Sequence, residues 1–226
     1  MANGVTTRNI ELPLRGFALR GILGIPTGAG GVVLFAHGSG SGRLSPRNGY
    51  VAGTLQGVGL ATLLIDLLTA DEERADARTG HLRFDIDFLT ERLLAATDWL
   101  LRAPETTGLA VGYFGASTGA AAALQAAALR PADVRAVVSR GGRPDLAMAW
   151  LPRVRAPTLL IVGGDDTPVI PLNRQAYDAL RCERELVIVP GASHLFEEPG
   201  TLEEVARLAA DWLTRHLAAS EPGVRR

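Results

Sequence analysis

Cysteine is nearly absent: Cys182 stands alone among 226 residues. No internal disulfide can form, so the fold has no need of an oxidising compartment. An excess of charge of either sign is missing too. Lys and Arg total 23 against 24 Asp and Glu, a formal net charge of −1. That balance leaves no electrostatic footprint for nucleic acid or an anionic membrane surface. The opening Met-Ala-Asn-Gly-Val-Thr-Thr-Arg lacks a basic region followed by an apolar stretch. No signal peptide is expected, and the expected location is cytoplasmic. Metal-ligand spacings are missing as well. The four histidines are scattered, and neither H-x-x-x-H nor C-x-x-C occurs. No metal and no cofactor are expected.

Long apolar runs are also scarce. Gly108–Leu129 carries no charge over 22 residues, about the length that crosses a bilayer. Four glycines interrupt it and its middle, Ser117-Thr118, is polar. It reads as a strand, Leu109–Phe114, followed by an alanine-rich helix, Ala120–Leu129, and no membrane association is expected.

What the sequence does contain is ordinary for a globular chain: 47% apolar and 21% charged residues. Residues 1–226 are expected to form one domain, with Glu221–Arg226 as a frayed tail. Six short runs rich in Val, Ile and Leu show no polar alternation: Val32–Ala36, Ala61–Ile65, Leu109–Phe114, Val134–Val138, Thr158–Val162 and Leu186–Val189. Strands buried on both faces of a parallel sheet look like this. Between them lie segments of helical period. Ile86, Leu89, Leu93, Ala96 and Leu100 share one face, and Leu202, Val205, Ala209, Trp212 and Leu217 another. The alternation predicts an α/β fold with helices on both faces of a mostly parallel sheet. Residues 5–25 differ. Ile10, Leu12 and Leu14 alternate with polar or turn residues before Arg15-Gly16, which predicts an antiparallel hairpin at the sheet edge. Asp71–Thr79 is charged and is expected to be a surface loop. The short stretch between Val138 and Thr158 leaves room for one small helix and no cap domain.

Gly115-Ala116-Ser117-Thr118-Gly119 fits G-x-S-x-G. A strand runs into it and a helix runs out, the setting that a nucleophilic serine on a sharp turn requires. The flanking glycines keep that turn free of side chains, and the amides of the following helix point towards the serine. The plainer alternative is a glycine-rich turn with an incidental serine. A serine hydroxyl needs a base. His194, in the loop Pro190–His194 after the last strand, lies at the same sheet edge as Ser117. His37 more naturally shapes its glycine-rich loop, His81 is expected to be solvated, and His216 sits near the end of the last helix. The base needs a carboxylate to orient it. Asp165 and Asp166 both follow the Thr158–Val162 strand, and Asp166 is the better candidate because it lies deeper in the loop.

His37-Gly38-Ser39-Gly40-Ser41-Gly42 follows the Val32–Ala36 strand, and Asp66 ends the next strand. This imitates a dinucleotide site, but the glycine spacing fails at its last position. Asp66 is expected to serve the turn after its own strand. Cys182, beside Arg181 and Arg184, reads as a structural rather than a reactive thiol.

Gly115–Gly119, Asp166, His194 and the His37–Gly42 loop together resemble the dienelactone hydrolase-like branch of the α/β-hydrolase fold, over nearly the whole chain. The order Ser117, Asp166, His194 is the order of that fold. The likeness extends to small hydrolases found fused to a phosphoribosyltransferase domain, a second domain not expected within these residues. The resemblance implies hydrolysis of small carboxylic esters or lactones without a cofactor. Ser117 would be the nucleophile, His194 the base and Asp166 the orienting acid, and the backbone N–H groups of Ser39 and Thr118 would form an oxyanion hole. Dienelactone hydrolase proper uses a cysteine nucleophile, so Ser117 favours generic ester cleavage over dienelactone itself.

With no cap, an open, shallow site for short acyl groups is expected. Arg43, Arg140 and Arg143 would favour an anionic substrate if they converged over Ser117. Solvated arginines or structural ion pairs are the bland alternative. Met148 and Trp150 could line an acyl pocket, though residues at helical spacing are more often core. The expected partner is a small ester or lactone, and the chain is expected to be a monomer or homodimer. Acyl transfer to another acceptor, or a silent binding module on the same fold, are the rival readings.

Overall fold

The computed structural model describes residues 4–14 and 16–217; the expected tail, Glu221–Arg226, lies outside them. Eight strands form one sheet in the order β1-β2-β4-β3-β5-β6-β7-β8. The first two, β1 (Val5–Leu14) and β2 (Phe17–Pro26), make the anticipated edge hairpin, with Leu14 paired opposite Phe17. The alternation of β1 puts Ile10 and Leu12 in the core. β2 also runs antiparallel to β4 (Leu60–Ile65). From there β4, β3 (Gly31–Ala36), β5 (Ala110–Ala116), β6 (Val134–Arg140), β7 (Thr158–Gly163) and β8 (Arg184–Val189) are parallel.

Parallel neighbours cannot be joined by a tight turn, so each crossover carries a helix or short helical turns over a face. Strand residues alternate between two cores. On β3, Val32 and Leu34 enter one with α3 (Ile86–Arg102), α4 (Thr118–Leu129) and α5 (Ile170–Ala179). Val33 and Phe35 enter the other with α1 (Pro46–Gly57) and α6 (Thr201–Leu217). The α3 face read from spacing, Ile86 to Leu100, is wholly buried. The charge-free run Gly108–Leu129 is divided between β5 and α4, and among the described residues no helix is long and apolar enough to cross a membrane.

Two elements differ from expectation. The charged Asp71–Thr79 stretch is a helix, α2 (Ala70–Thr79), rather than a loop. Thr69 caps it and Glu72 returns a hydrogen bond to the Thr69 N–H, a reciprocal capping box, while Gly80 at φ 70° closes the other end. Capping chemistry, not apolar period, makes this helix. The central strands also outrun their apolar cores. β5 and β6 stay paired through Gly115–Ser139 and Ala116–Arg140, which carries both to the sheet edge. Between β6 and β7 stand two short 3-10 turns, Pro144–Ala147 and Leu151–Arg153, and no cap.

The glycines of the serine turn are there for want of room. A Cβ on Gly115 would lie 2.5 Å from the Ala120 Cα, and one on Gly119 would lie 2.5 Å from the His37 carbonyl oxygen. Gly53, exposed on α1, has nothing within 4 Å of its missing Cβ. The same substitution is therefore expected to act with opposite sign at the two sites. Gly119→Ala should cost about 3 kcal/mol or more by overpacking. Gly53→Ala should gain about 0.5–1 kcal/mol from helix propensity. Urea unfolding of the two variants checks this, and similar effects at both positions would contradict it.

Candidate active site

Ser117 stands between β5 and α4 at φ 50°, ψ −123°. A non-glycine residue in this region carries strain of about 1–3 kcal/mol and persists only where neighbours over-determine it. Here they do. The Ser117 N–H donates to the Arg140 carbonyl at 3.3 Å, and its carbonyl accepts from Ala120 at 3.1 Å and Arg143 at 3.0 Å. The side chain is left half-exposed at the carboxyl edge of the sheet.

The 37–42 loop comes in from β3. A Cβ on Gly38 would lie 2.8 Å from the Ser117 Cβ, so only glycine allows this approach. Ser39 Oγ lies 3.5 Å from Thr118 Oγ1, bringing the two residues expected to offer amides side by side. Thr118 is the first residue of α4, where an N–H has no intrahelical acceptor and the helix dipole is positive. His37 is buried and holds the loop from beneath. Its Nε2 accepts from the Leu67 N–H at 2.9 Å, which makes Nδ1 the protonated nitrogen that donates to the Gly38 carbonyl at 2.9 Å. Burial keeps its pKa below the ordinary 6.5, against smaller opposing effects of the Gly38 bond, Asp66 and Glu73. Asp66 accepts the Arg43 N–H at 2.7 Å and pairs with the Arg43 guanidinium, so it braces this loop as well as ending its strand.

The remaining two candidates meet across the ends of β7 and β8. His194 Nδ1 lies 2.6 Å from Asp166 Oδ2. Asp166 is 8% exposed, whereas Asp165 is exposed and ties the two loops together through its N–H to the Ala192 carbonyl at 3.0 Å. His194 and Ser117 both abut residues 140–143: a Cβ on Gly141 would lie 3.0 Å from the His194 carbonyl oxygen and 3.6 Å from its Nδ1. Glu198 accepts the Ser193 N–H at 2.9 Å, and hydrogen bonds from Ser193 hold its carboxyl below the usual range.

Beside Ser39 and Thr118 opens a cavity of about 200 Å³. The loop 38–41 forms one wall, and Leu68, Ala77 and Leu89 face it. Glu73, Asp76 and Ala77 of α2 form part of the cavity wall. That wall is fixed by Asp76, which accepts from the Leu82 N–H at 2.7 Å and from Arg83 Nε at 2.5 Å. Burial pushes the Asp76 carboxyl up, but these bonds outweigh it and hold it below the ordinary value. The sequence signalled neither Asp76 nor Glu198: each is one acid in a charged stretch.

Of the other candidates, Arg43 is bound to Asp66, and Arg143 makes two bonds to Asp145, at 2.9 and 2.8 Å. Trp150 lies off the cavity, its ring under Arg153 at 5.3 Å. Arg140 is 7% exposed and joins none of these pairs. Cys182 is half-buried with its thiol pushed up by burial. Among the described residues no cluster of three His, Cys, Asp or Glu side chains could hold a metal ion.

A family model described as the Dienelactone hydrolase family matches residues 19–218. The crystal structure of a dienelactone hydrolase from Anabaena variabilis ATCC 29413 is 60% identical and superposes with a TM-score of 0.92, covering 94% of this chain and 99% of its own. A Mycobacterium tuberculosis protein named as a phosphoribosyl transferase is 57% identical over 202 residues, which are 89% of this chain and 45% of that protein. The chain thus spans less than half the length of this curated relative. Est1E from Butyrivibrio proteoclasticus, at 15% identity and a TM-score of 0.75, covers 93% of this chain and 99% of its own and shares the fold.

The buried imidazole makes loop stability depend on pH. Its folded pKa is depressed, so below about 6.5 the unfolded chain takes up the proton first and stability falls with falling pH. Wild type is expected to be more stable than His37→Gln at pH 8, and the gap should narrow towards pH 5. Denaturant unfolding at the two pH values measures it, and a gap that stays constant would mean that His37 is not held neutral.

Proposed function

Because the chain belongs to the dienelactone hydrolase family, we propose that it is a serine hydrolase cleaving small carboxylic esters or lactones through an acyl-enzyme. The observation that carries this reading is the 2.6 Å contact between His194 Nδ1 and Asp166 Oδ2, with His194 and a serine held at positive φ both abutting residues 140–143. The 60% identity to the dienelactone hydrolase from Anabaena variabilis supports hydrolysis as the reaction class.

The steps follow from the groups in place. Asp166 fixes the proton of His194 on Nδ1, which leaves Nε2 free to accept one. As Ser117 Oγ attacks the acyl carbon, its proton passes to His194 Nε2. The carbonyl oxygen becomes an oxyanion, and the N–H groups of Ser39 and Thr118 are the donors for it. Collapse of the tetrahedral intermediate breaks the bond to the leaving oxygen, which takes the proton from His194. Water then attacks the acyl-enzyme by the same route and regenerates Ser117. The apolar wall of Leu68, Ala77 and Leu89 suits a short, uncharged part of the substrate.

A fluorophosphonate reports an activated serine without knowledge of the substrate. Intact-mass analysis is expected to show rapid single labelling of wild type, mapped to Ser117, and none in Ser117→Ala or His194→Ala. Ser117→Ala should lower ester turnover by about 10⁴-fold or more. A folded wild type that takes no label would overturn the proposal in favour of a silent binding module. Products that depend on an added acceptor would reassign it to acyl transfer.

A further inference from the structure

Asn173, on α5, is fully buried. Nothing about that place favours an amide. Asparagine is a poor residue for a helix interior, and its polar side chain is costly to bury unless it is hydrogen-bonded. Its Nδ2 donates to the Gly142 carbonyl and to the Val169 carbonyl, each at 3.0 Å. Carbonyl oxygens only accept, so the NH2 group must be the one that faces them, which fixes the orientation of the side chain. Oδ1 is then left buried without a partner. The Val169 carbonyl already accepts the Asn173 N–H at 3.0 Å. What the side chain adds to the fold is therefore its bond to Gly142.

The Gly142 carbonyl belongs to the same peptide unit as the Arg143 N–H, and that N–H donates to the Ser117 carbonyl at 3.0 Å. A chain of hydrogen bonds thus runs from Asn173, through one peptide, to the backbone of the nucleophile. Among the described residues Asn173 is the donor that reaches the Gly142 carbonyl. Bonds at both ends of a peptide polarise it and strengthen one another. They also fix the plane of a peptide that the sequence leaves free, since Gly141, at φ 50°, and Gly142 have no side chains to restrict rotation. Of the bonds that hold Ser117 in its strained conformation, the one from Ala120 lies within the first turn of α4. The one from Arg143 comes from outside that unit and is only as firm as the peptide that offers it.

The other branch of the Asn173 amide leads to the orienting acid. Asn173 is bonded to the Val169 carbonyl, and the N–H groups of Val169 and Ile170 donate to the Asp166 carbonyl at 3.0 and 3.3 Å. One amide therefore ties the peptide that holds Ser117 to the loop that carries Asp166, and through Asp166 to His194. We infer that Asn173 is a positioning residue that holds the serine turn in place relative to the Asp166–His194 pair, acting through the 142–143 peptide. This deepens the hydrolase reading and rests on it. A reacting group misplaced by about 1 Å can cost about 10²-fold in rate, even when the cause lies away from the chemistry.

The test uses the full chain with Asn173→Leu and, separately, Asn173→Ser. Leucine fills the volume without a donor. Serine keeps a hydroxyl that can bond back to the Val169 carbonyl within the helix but is too short for Gly142, so it removes the link while sparing the helix. Thr97→Val, which removes a buried bond to the Tyr113 hydroxyl at 2.7 Å, controls for general loss of stability. Fluorophosphonate labelling is followed by intact mass for both its rate and its endpoint. Both Asn173 variants are expected to reach one label per chain, about 10–100-fold more slowly than wild type, with kcat/KM for p-nitrophenyl acetate falling by a similar factor. Thr97→Val should label at the wild-type rate. Native-state hydrogen exchange needs no chemistry at the serine: the Arg143 N–H is expected to exchange about tenfold faster or more in both Asn173 variants, relative to amides at the centre of β3. Wild-type labelling rates in the Asn173 variants would refute the inference. A slowing shared by Thr97→Val, or an incomplete endpoint reached at the wild-type rate, would do the same, because Asn173 would then serve stability alone. Unchanged protection at Arg143 would also count against it decisively. If wild type takes no label while Arg143 protection still depends on Asn173, the hydrolase reading fails and the link to the serine turn stands.

Discussion

The site depends on how closely the β5–α4 turn is pressed against its neighbours. Gly119 leaves no space for a methyl group above the carbonyls ending β3, and Gly38 leaves none beside Ser117. These contacts are with backbone atoms or with a Cβ fixed by the backbone, so they set distances that side-chain rotation cannot relax. The side chains of Ser39 and Thr118 are brought together by this packing, with Oγ and Oγ1 3.5 Å apart. The strain at Ser117 is the cost of the arrangement, offset by the hydrogen bonds from Ala120 and Arg143 and to Arg140.

A second principle governs the loops around that turn. Each is held by a carboxylate that accepts a backbone N–H. Asp66 takes Arg43, Asp76 takes Leu82, and Glu198 takes Ser193. A carboxylate bonded to an amide fixes the path of the chain as well as a side chain, and it stays effective where the pair is partly solvated. His37 does the same work in neutral form, accepting from Leu67 on one nitrogen and donating to Gly38 from the other. The walls of the cavity are therefore fixed by polar groups, while the apolar cores lie below, against the faces of the sheet.

The sheet and the α3 and α6 faces were legible in the sequence because burial on both faces of a parallel strand, and one apolar stripe on a helix, leave periodic traces. Ser117, Asp166 and His194 could be singled out because each follows a strand at one sheet edge. The wall made by α2 was not legible. Its residues are charged all round, and what makes it a helix is the Thr69–Glu72 capping box, a signal of two residues that the charged stretch obscured. The ends of β5 and β6 were missed for a related reason. Gly115, Ala116, Ser139 and Arg140 are not apolar strand formers, yet pairing holds them in the sheet. The fate of the arginines was beyond the sequence altogether, since whether Arg43 or Arg140 has a partner depends on contacts between distant segments.

Residues 140–143 draw these strands together. The Arg140 carbonyl holds the Ser117 N–H, and the Arg143 N–H holds the Ser117 carbonyl. Gly141, at φ 50°, gives way to His194, and a Cβ on Gly142 would lie 2.7 Å from the Ala120 Cβ at the start of α4. One four-residue segment thus touches Ser117, His194 and the helix behind them, and it also carries the unpaired Arg140 guanidinium. Two unfavourable features, a strained serine and a buried cation, stand together at one strand end. Such a concentration is hard to explain by stability, because an uncharged residue at 140 would pack there at lower cost.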